Sequence, residues 1–158
     1  MISKKTITRL AIFAGLGLVT STSFAVDDKR YPGADCRQIS GGIYNFFGGT
    51  VFNSSTTSAL GLMCPFVKDS AGVTSGSVTV YDRHPSQDIS CTIFSELNNA
   101  SGNFFTSAAV TSSGFGSAPQ VLGFGALPNN EYYYATCTLP PSSAGNVSHL
   151  ASFVVNEP

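Results

Sequence analysis

Tryptophan is absent from this chain of 158 residues, histidine occurs twice, and only 11% of the residues carry a formal charge. Each scarcity excludes something. The four cysteines include no CxxC pair, which removes the usual redox dithiol and zinc-knuckle readings. No GxSxG surrounds any of the many serines, and a free thiol nucleophile is not expected if all four cysteines pair. Gly114-Phe115-Gly116 and Gly123-Phe124-Gly125 stop short of GxGxxG and GKS/T, so a phosphate-cradling loop is not supported. With no convergent acid, base and nucleophile, an enzyme is not expected, and neither is a cofactor. The lack of tryptophan also counts against a sugar-binding surface.

What is present begins with an address. Residues 1–25 have a basic start (Lys4, Lys5, Arg9), an apolar run over 10–19 and a small-residue exit at Ala25, the three parts of a secretory signal peptide. The apolar run falls well short of the roughly 20 residues that cross a bilayer, and no later run reaches that length. The expected product is exported, secreted or periplasmic, without a membrane span. Beyond residue 25 there remain 133 residues, one ordinary domain, with five basic against nine acidic side chains and a net charge of −4. Nucleic acid and anionic membranes are poor partners for such a surface. Residues 26–40 are polar and carry a Tyr-Pro-Gly turn signal, so they read as a loosely held leader ahead of a domain at 41–158.

Short apolar runs separated by Gly, Ser, Asn and Pro clusters set an all-β rhythm. Strands are expected at 42–47, 50–53, 59–67, 77–83, 88–97, 104–112, 120–127, 131–139 and 147–155. About eight or nine short strands exceed one comfortable open sheet, so the fold class is a two-layer antiparallel β-sandwich of Greek-key or jelly-roll type. In 88–97 the residues Ile89, Cys91, Ile93 and Leu97 share one face. In 131–139 the matching face holds Tyr133, Ala135, Cys137 and Leu139. Four cysteines in an exported chain read as two disulfides, with three possible pairings. The preferred one joins Cys91 to Cys137, which have matching strand contexts, and Cys36 to Cys64, which ties down the segment before the first expected strand. Opposed sheets lie about 10 Å apart, farther than bonded cysteines usually reach, so neighbouring strands or a pinched sandwich edge are both open.

Two constellations carry candidate function. Asp82, His84 and Asp88, in the segment YDRHPSQD, could make a general base or a metal site. A charged hairpin tip is the stronger reading of the same residues. Phe94, Tyr132 and Tyr134 project from the faces opposite the cysteines and could form a flat aromatic platform for a glycan or a protein partner, with Phe46, Phe47 and Phe52 as an extension; packing in the core or at an edge is the stronger reading of the same rings. Asn53, Asn99 and Asn146 head Asn-x-Ser triplets that carry no weight without a glycosylating host. The landmarks CPFVKD from Cys64, VTVYDRH from Val78, YYYATCTLPP from Tyr132 and SHLASFVVNE from Ser148 resemble a loose group of small exported bacterial proteins. That resemblance implies a two-disulfide β-sandwich and transfers no functional residue. The chain departs from chaperone-assembled pilus subunits, lacking their C-terminal Gly and penultimate Tyr. The main functional expectation is a structural or interaction module outside the cytoplasm, and the alternative is a carbohydrate-binding module.

Overall fold

The computed structural model describes residues 27–69, 72–97, 104–107 and 109–158. The expected signal peptide at 1–25, the Asn99 triplet and the turn at 98–102 lie outside the described residues. Among the described residues no helix is long and apolar enough to cross a membrane.

Two antiparallel six-stranded sheets pack face to face. The strands are β1 (Asp27–Pro32), β2 (Arg37–Gly41), β3 (Tyr44–Phe47), β4 (Thr50–Asn53), β5 (Leu60–Phe66), β6 (Ser75–Tyr81), β7 (Ser90–Glu96), β8 (Phe104–Thr106), β9 (Val110–Thr111), β10 (Gln120–Phe124), β11 (Tyr132–Leu139) and β12 (His149–Glu157). One sheet runs β10-β6-β12-β4-β3, with β1 also on β12; the other runs β2-β5-β11-β7-β8, with β9 also on β7. From β4 to β7, and again from β10 to β12, the chain changes sheet at every connection. Alternate residues of both sheets therefore meet in one core. Leu60, Leu62, Ile89, Ile93, Ala135 and Leu139 face Val51, Val78, Val80, Leu150, Phe153 and Val155 across it.

The sandwich is the expected architecture, with more strands than expected. Residues 26–40 are not a loose leader over their described part. β1 pairs along β12 from Asp27↔Glu157 to Pro32↔Ser152, and β2 pairs with β5. Backbone hydrogen bonds hold these edge strands, with Tyr31 the one β1 side chain packed against the core, so their polar sequence gave no period to read. The single strand expected at 104–112 is two short ones, β8 and β9, placed along the same edge of β7. Leu97 lies past the end of β7 and is exposed, and Ser95 takes the inward position, donating from Oγ to the Pro128 carbonyl at 3.0 Å.

The disulfides join Cys36 to Cys64 and Cys91 to Cys137, each with Cα atoms 4.1 Å apart. Cys91 and Cys137 are direct cross-strand partners of β7 and β11, and Cys36 precedes the Arg37↔Met63 pair of β2 and β5. Both bridges therefore run between neighbouring strands of a single sheet. The short Cα separation is that of an antiparallel pair without mutual hydrogen bonds, where side chains approach most closely. The alternative of a bridge across the sandwich, which would need the layers pinched, does not arise.

Between the layers, a fully buried Asn53 works as a polar rivet. Its Oδ1 accepts from the amides of Ile43 and Ser55, each at 3.0 Å, and its Nδ2 donates to carbonyls of Ser58, Leu139 and Pro140. β4 of one sheet is thereby tied to the end of β11 in the other. The Asn53 triplet is consequently no glycan acceptor in the folded chain, because its amide is spent and sealed from solvent. Gly76 is required for a different reason: a Cβ there would sit 2.2 Å from the Phe124 ring, which lies across it from β10.

Candidate functional site

The outer face of the disulfide-bearing sheet is built in rows that follow from strand register. One row runs Pro65, Tyr134, Phe94, Thr106 across β5, β11, β7 and β8. A neighbouring row holds Arg37, Met63, Thr136 and Thr92, and on the other side Tyr132 lies opposite Glu96. Period-two alternation puts Tyr132 and Tyr134 outward because Tyr133, Ala135 and Cys137 are buried.

Phe94 and Tyr134 stack, with ring centroids 4.9 Å apart and planes only 11° from parallel. One face of the Tyr134 ring is thus committed to Phe94, and this contact holds the ring in place. Tyr132 is 53% exposed. Together with Tyr134, Met63, Pro65, Arg37 and Asp35 it lines a cleft of about 290 Å³. Burial and then the nearby Glu96 carboxylate raise the Tyr134 phenol above its ordinary 10.0, so its hydroxyl remains a hydrogen-bond donor through the physiological range. Tyr133, facing the other way, anchors the floor: its hydroxyl donates to the Pro128 carbonyl at 2.5 Å and accepts from the Asn130 amide at 3.0 Å. The arrangement offers two aromatic side chains, a cation from Arg37 and a carboxylate from Asp35.

The structure brings Phe94, Tyr132 and Tyr134 to one face. It does not bring Phe46, Phe47 and Phe52 there, because β3 and β4 belong to the opposite sheet. The expected extension of the platform is corrected accordingly. Arg37, Met63 and Pro65 were not recognised in the sequence as members of this face; only the pairing of β2 with β5 places them beside the tyrosines.

Asp82 and His84 do share the inward side at spacing two, and both are buried, whereas Asp88 is exposed. They form no ligand set: among the described residues no three His, Cys, Asp or Glu side chains gather around a common point. The reason is visible in their hydrogen bonds. Asp82 accepts from Ser112 Oγ at 2.5 Å, from Ser148 Oγ at 3.4 Å and from the His84 amide at 3.1 Å. His84 Nδ1 accepts from the amides of Ser86 and Gln87 at 3.2 and 2.9 Å. Its lone pair caps the turn after β6 and is unavailable to a metal.

No protein-family model matches the chain, and no curated protein matches it. Among solved structures it is similar to a low-affinity xylan-binding module from the gut symbiont Roseburia intestinalis, at 12% identity and a TM-score of 0.48 over 82% of this chain and 94% of that one. It is also similar to a family two carbohydrate esterase from Cellvibrio japonicus, at 7% identity and a TM-score of 0.48, over 85% of this chain and 34% of the esterase. A carbohydrate-binding module in complex with calcium and xylotriose aligns at 12% identity and a TM-score of 0.42, over 82% of this chain and 99% of the module. Likenesses of this size carry no conclusion, and function is left to the site itself.

Proposed function

We propose that this protein is an exported, non-catalytic carbohydrate-binding module whose sugar-binding face is the one built from Tyr132, Tyr134, Phe94 and Arg37. The observation that carries the reading is the braced Phe94–Tyr134 stack beside an exposed Tyr132, bordering a cleft with one cation and one carboxylate at its rim. A sugar ring has two kinds of surface, apolar C–H faces and a girdle of hydroxyls. Aromatic rings cover the first, and Arg37, Asp35 and the Tyr134 hydroxyl serve the second. Because the stack and both disulfides hold the face in place before a ligand arrives, little ordering cost is left to binding. Export is supported by the basic, apolar and small-residue pattern of 1–25 together with two disulfides, which persist in oxidising compartments.

Affinity electrophoresis against a panel of insoluble and soluble polysaccharides tests this. The oxidised protein should be retarded by at least one neutral glycan, and Tyr132→Ala with Tyr134→Ala should abolish the retardation while circular dichroism stays unchanged. Retardation that survives both substitutions overturns the assignment of the face. A protein-docking role for the same surface is favoured by Val67, 68% exposed beside Tyr132 and Pro65 in an adjoining cleft. Absence of any glycan retardation, with tyrosine-dependent capture of a purified partner, would select it.

A further inference from the structure

The opposite sheet has an aromatic outer face of its own, produced by an irregularity in β12. Counting back from the buried Glu157, Val155 and Phe153 by twos would turn Ala151 and His149 toward the core. A β-bulge between Leu150 and Ser152 inserts one residue against β6 and reverses the phase, so Leu150 fills the core and His149 turns outward. Register then lines up Asn45, Phe52, His149 and Tyr81 across β3, β4, β12 and β6. The His149 ring lies 5.2 Å from Phe52 and meets Tyr81 edge-on at 6.1 Å.

Beside this row opens a cleft of about 370 Å³, lined by Phe47, Thr50, Tyr81, Arg83 and His149. Phe47, 80% exposed, is presented by a tight hairpin whose two central glycines have φ of 58° and 84°. Arg83 is the cleft's only cation at neutral pH, since burial and then Arg83 itself push the His149 imidazole below its usual 6.5. The Arg83 Nε is buried without a hydrogen-bond partner, and both ion pairs among the described residues belong to Lys29. With Nε sealed from solvent, a ligand in the cleft meets the terminal nitrogens of the Arg83 guanidinium, and a planar carboxylate is the natural complement of that charged, planar group.

We infer that this cleft is a second ligand site, taking a hexuronate, a sugar ring that carries a carboxylate. Arg83 pairs with the carboxylate, Phe47 and Tyr81 cover ring C–H surface, and Thr50 with His149 meets the hydroxyls. A single planar fork suits a two-oxygen carboxylate better than a phosphate dianion, which would call for a second cation. The sugar half of this inference rests on the carbohydrate reading of the protein; the carboxylate half rests on Arg83 alone.

Amide chemical-shift titration of the oxidised protein with oligogalacturonate, and with its methyl ester as the neutral control, tests it. Shifts should centre on Phe47, Tyr81 and His149, and the ester should bind at least about tenfold more weakly. Arg83→Met should lose about the same factor, with Arg83→Lys between, because it keeps the charge and loses the fork. Phe47→Ser, on an exposed turn, should weaken binding without lowering the melting temperature, a handle that survives if Arg83 variants do not fold. The Tyr132→Ala, Tyr134→Ala double variant should bind oligogalacturonate normally. Equal affinity for acid and ester, or full affinity in Arg83→Met and Phe47→Ser, overturns the site. Preference for a peptide C-terminal carboxylate over the uronate overturns its sugar chemistry. Loss of neutral-glycan retardation with tyrosine substitutions, unaffected by Arg83→Met, separates the fate of the first face from that of this one.

Discussion

Asp82 is buried among three donors, Ser112, Ser148 and the His84 amide, and these come from three separate segments. Ser112 also accepts from the Ile89 amide at 2.8 Å, so the carboxylate organises the start of β7, the end of β6 and the approach to β12 at once. Asp82→Ala strands two hydroxyls in the interior and removes charge-assisted bonds worth roughly 1.5–3 kcal/mol each, and the expected loss is about 3 kcal/mol in urea unfolding. Asp88→Ala, on the exposed turn, should change stability by less than about 0.5 kcal/mol. The sequence did single out YDRHPSQD as unusual chemistry. It could not show that the unusual residues were consumed internally, because Ser112 and Ser148 are 30 and 66 positions from Asp82. The aromatic face was easier to see: Tyr132 and Tyr134 alternate with buried neighbours within one strand, and alternation is local.

Among the elements, β1 and β12 show where reading by periodicity stops. β1 is DDKRYP, with no apolar alternation, and it joins the sheet through its backbone and through Lys29. The Lys29 ammonium reaches Glu157 at 3.2 Å and also pairs with Asp69, and Glu157 is fully buried at the end of β12's inward row. Lys29→Met removes the cation facing a buried carboxylate and should lower the melting temperature. Adding Glu157→Gln should recover part of the loss, a coupling that a double-mutant cycle in thermal unfolding would measure. If the two substitutions simply add, the pair does not hold the edge. The bulge in β12 is equally invisible to a pattern search, since Leu150, Ala151, Ser152 and Phe153 offer no signal for the extra residue. Only the partner strand β6 reveals it. That is why His149, far from both in sequence, lies beside Tyr81 and Phe52 in the fold.

At the scale of the molecule, the number of short strands made the layered architecture legible, and the matching strand contexts around Cys91 and Cys137 made the disulfide pairing legible. The exact strand count was not, because the edge strands that complete each sheet left no compositional trace. On a chain-entropy estimate each closed loop, of 28 and 46 residues, contributes about 3.5–4 kcal/mol. A domain of this size is typically stable by roughly 5–15 kcal/mol. Reduction with alkylation should therefore shift the urea midpoint far down or unfold the protein outright. A midpoint unchanged after verified alkylation would show that the packed core suffices.

Both sulfur bridges stitch the same layer, and none crosses to its neighbour. Warmed without reductant, the unstitched layer should melt away first and leave a cross-linked ribbon with its greasy side bare. Such ribbons stick to one another, so heated samples should cloud sooner the more concentrated they are, and cooling should not clear them.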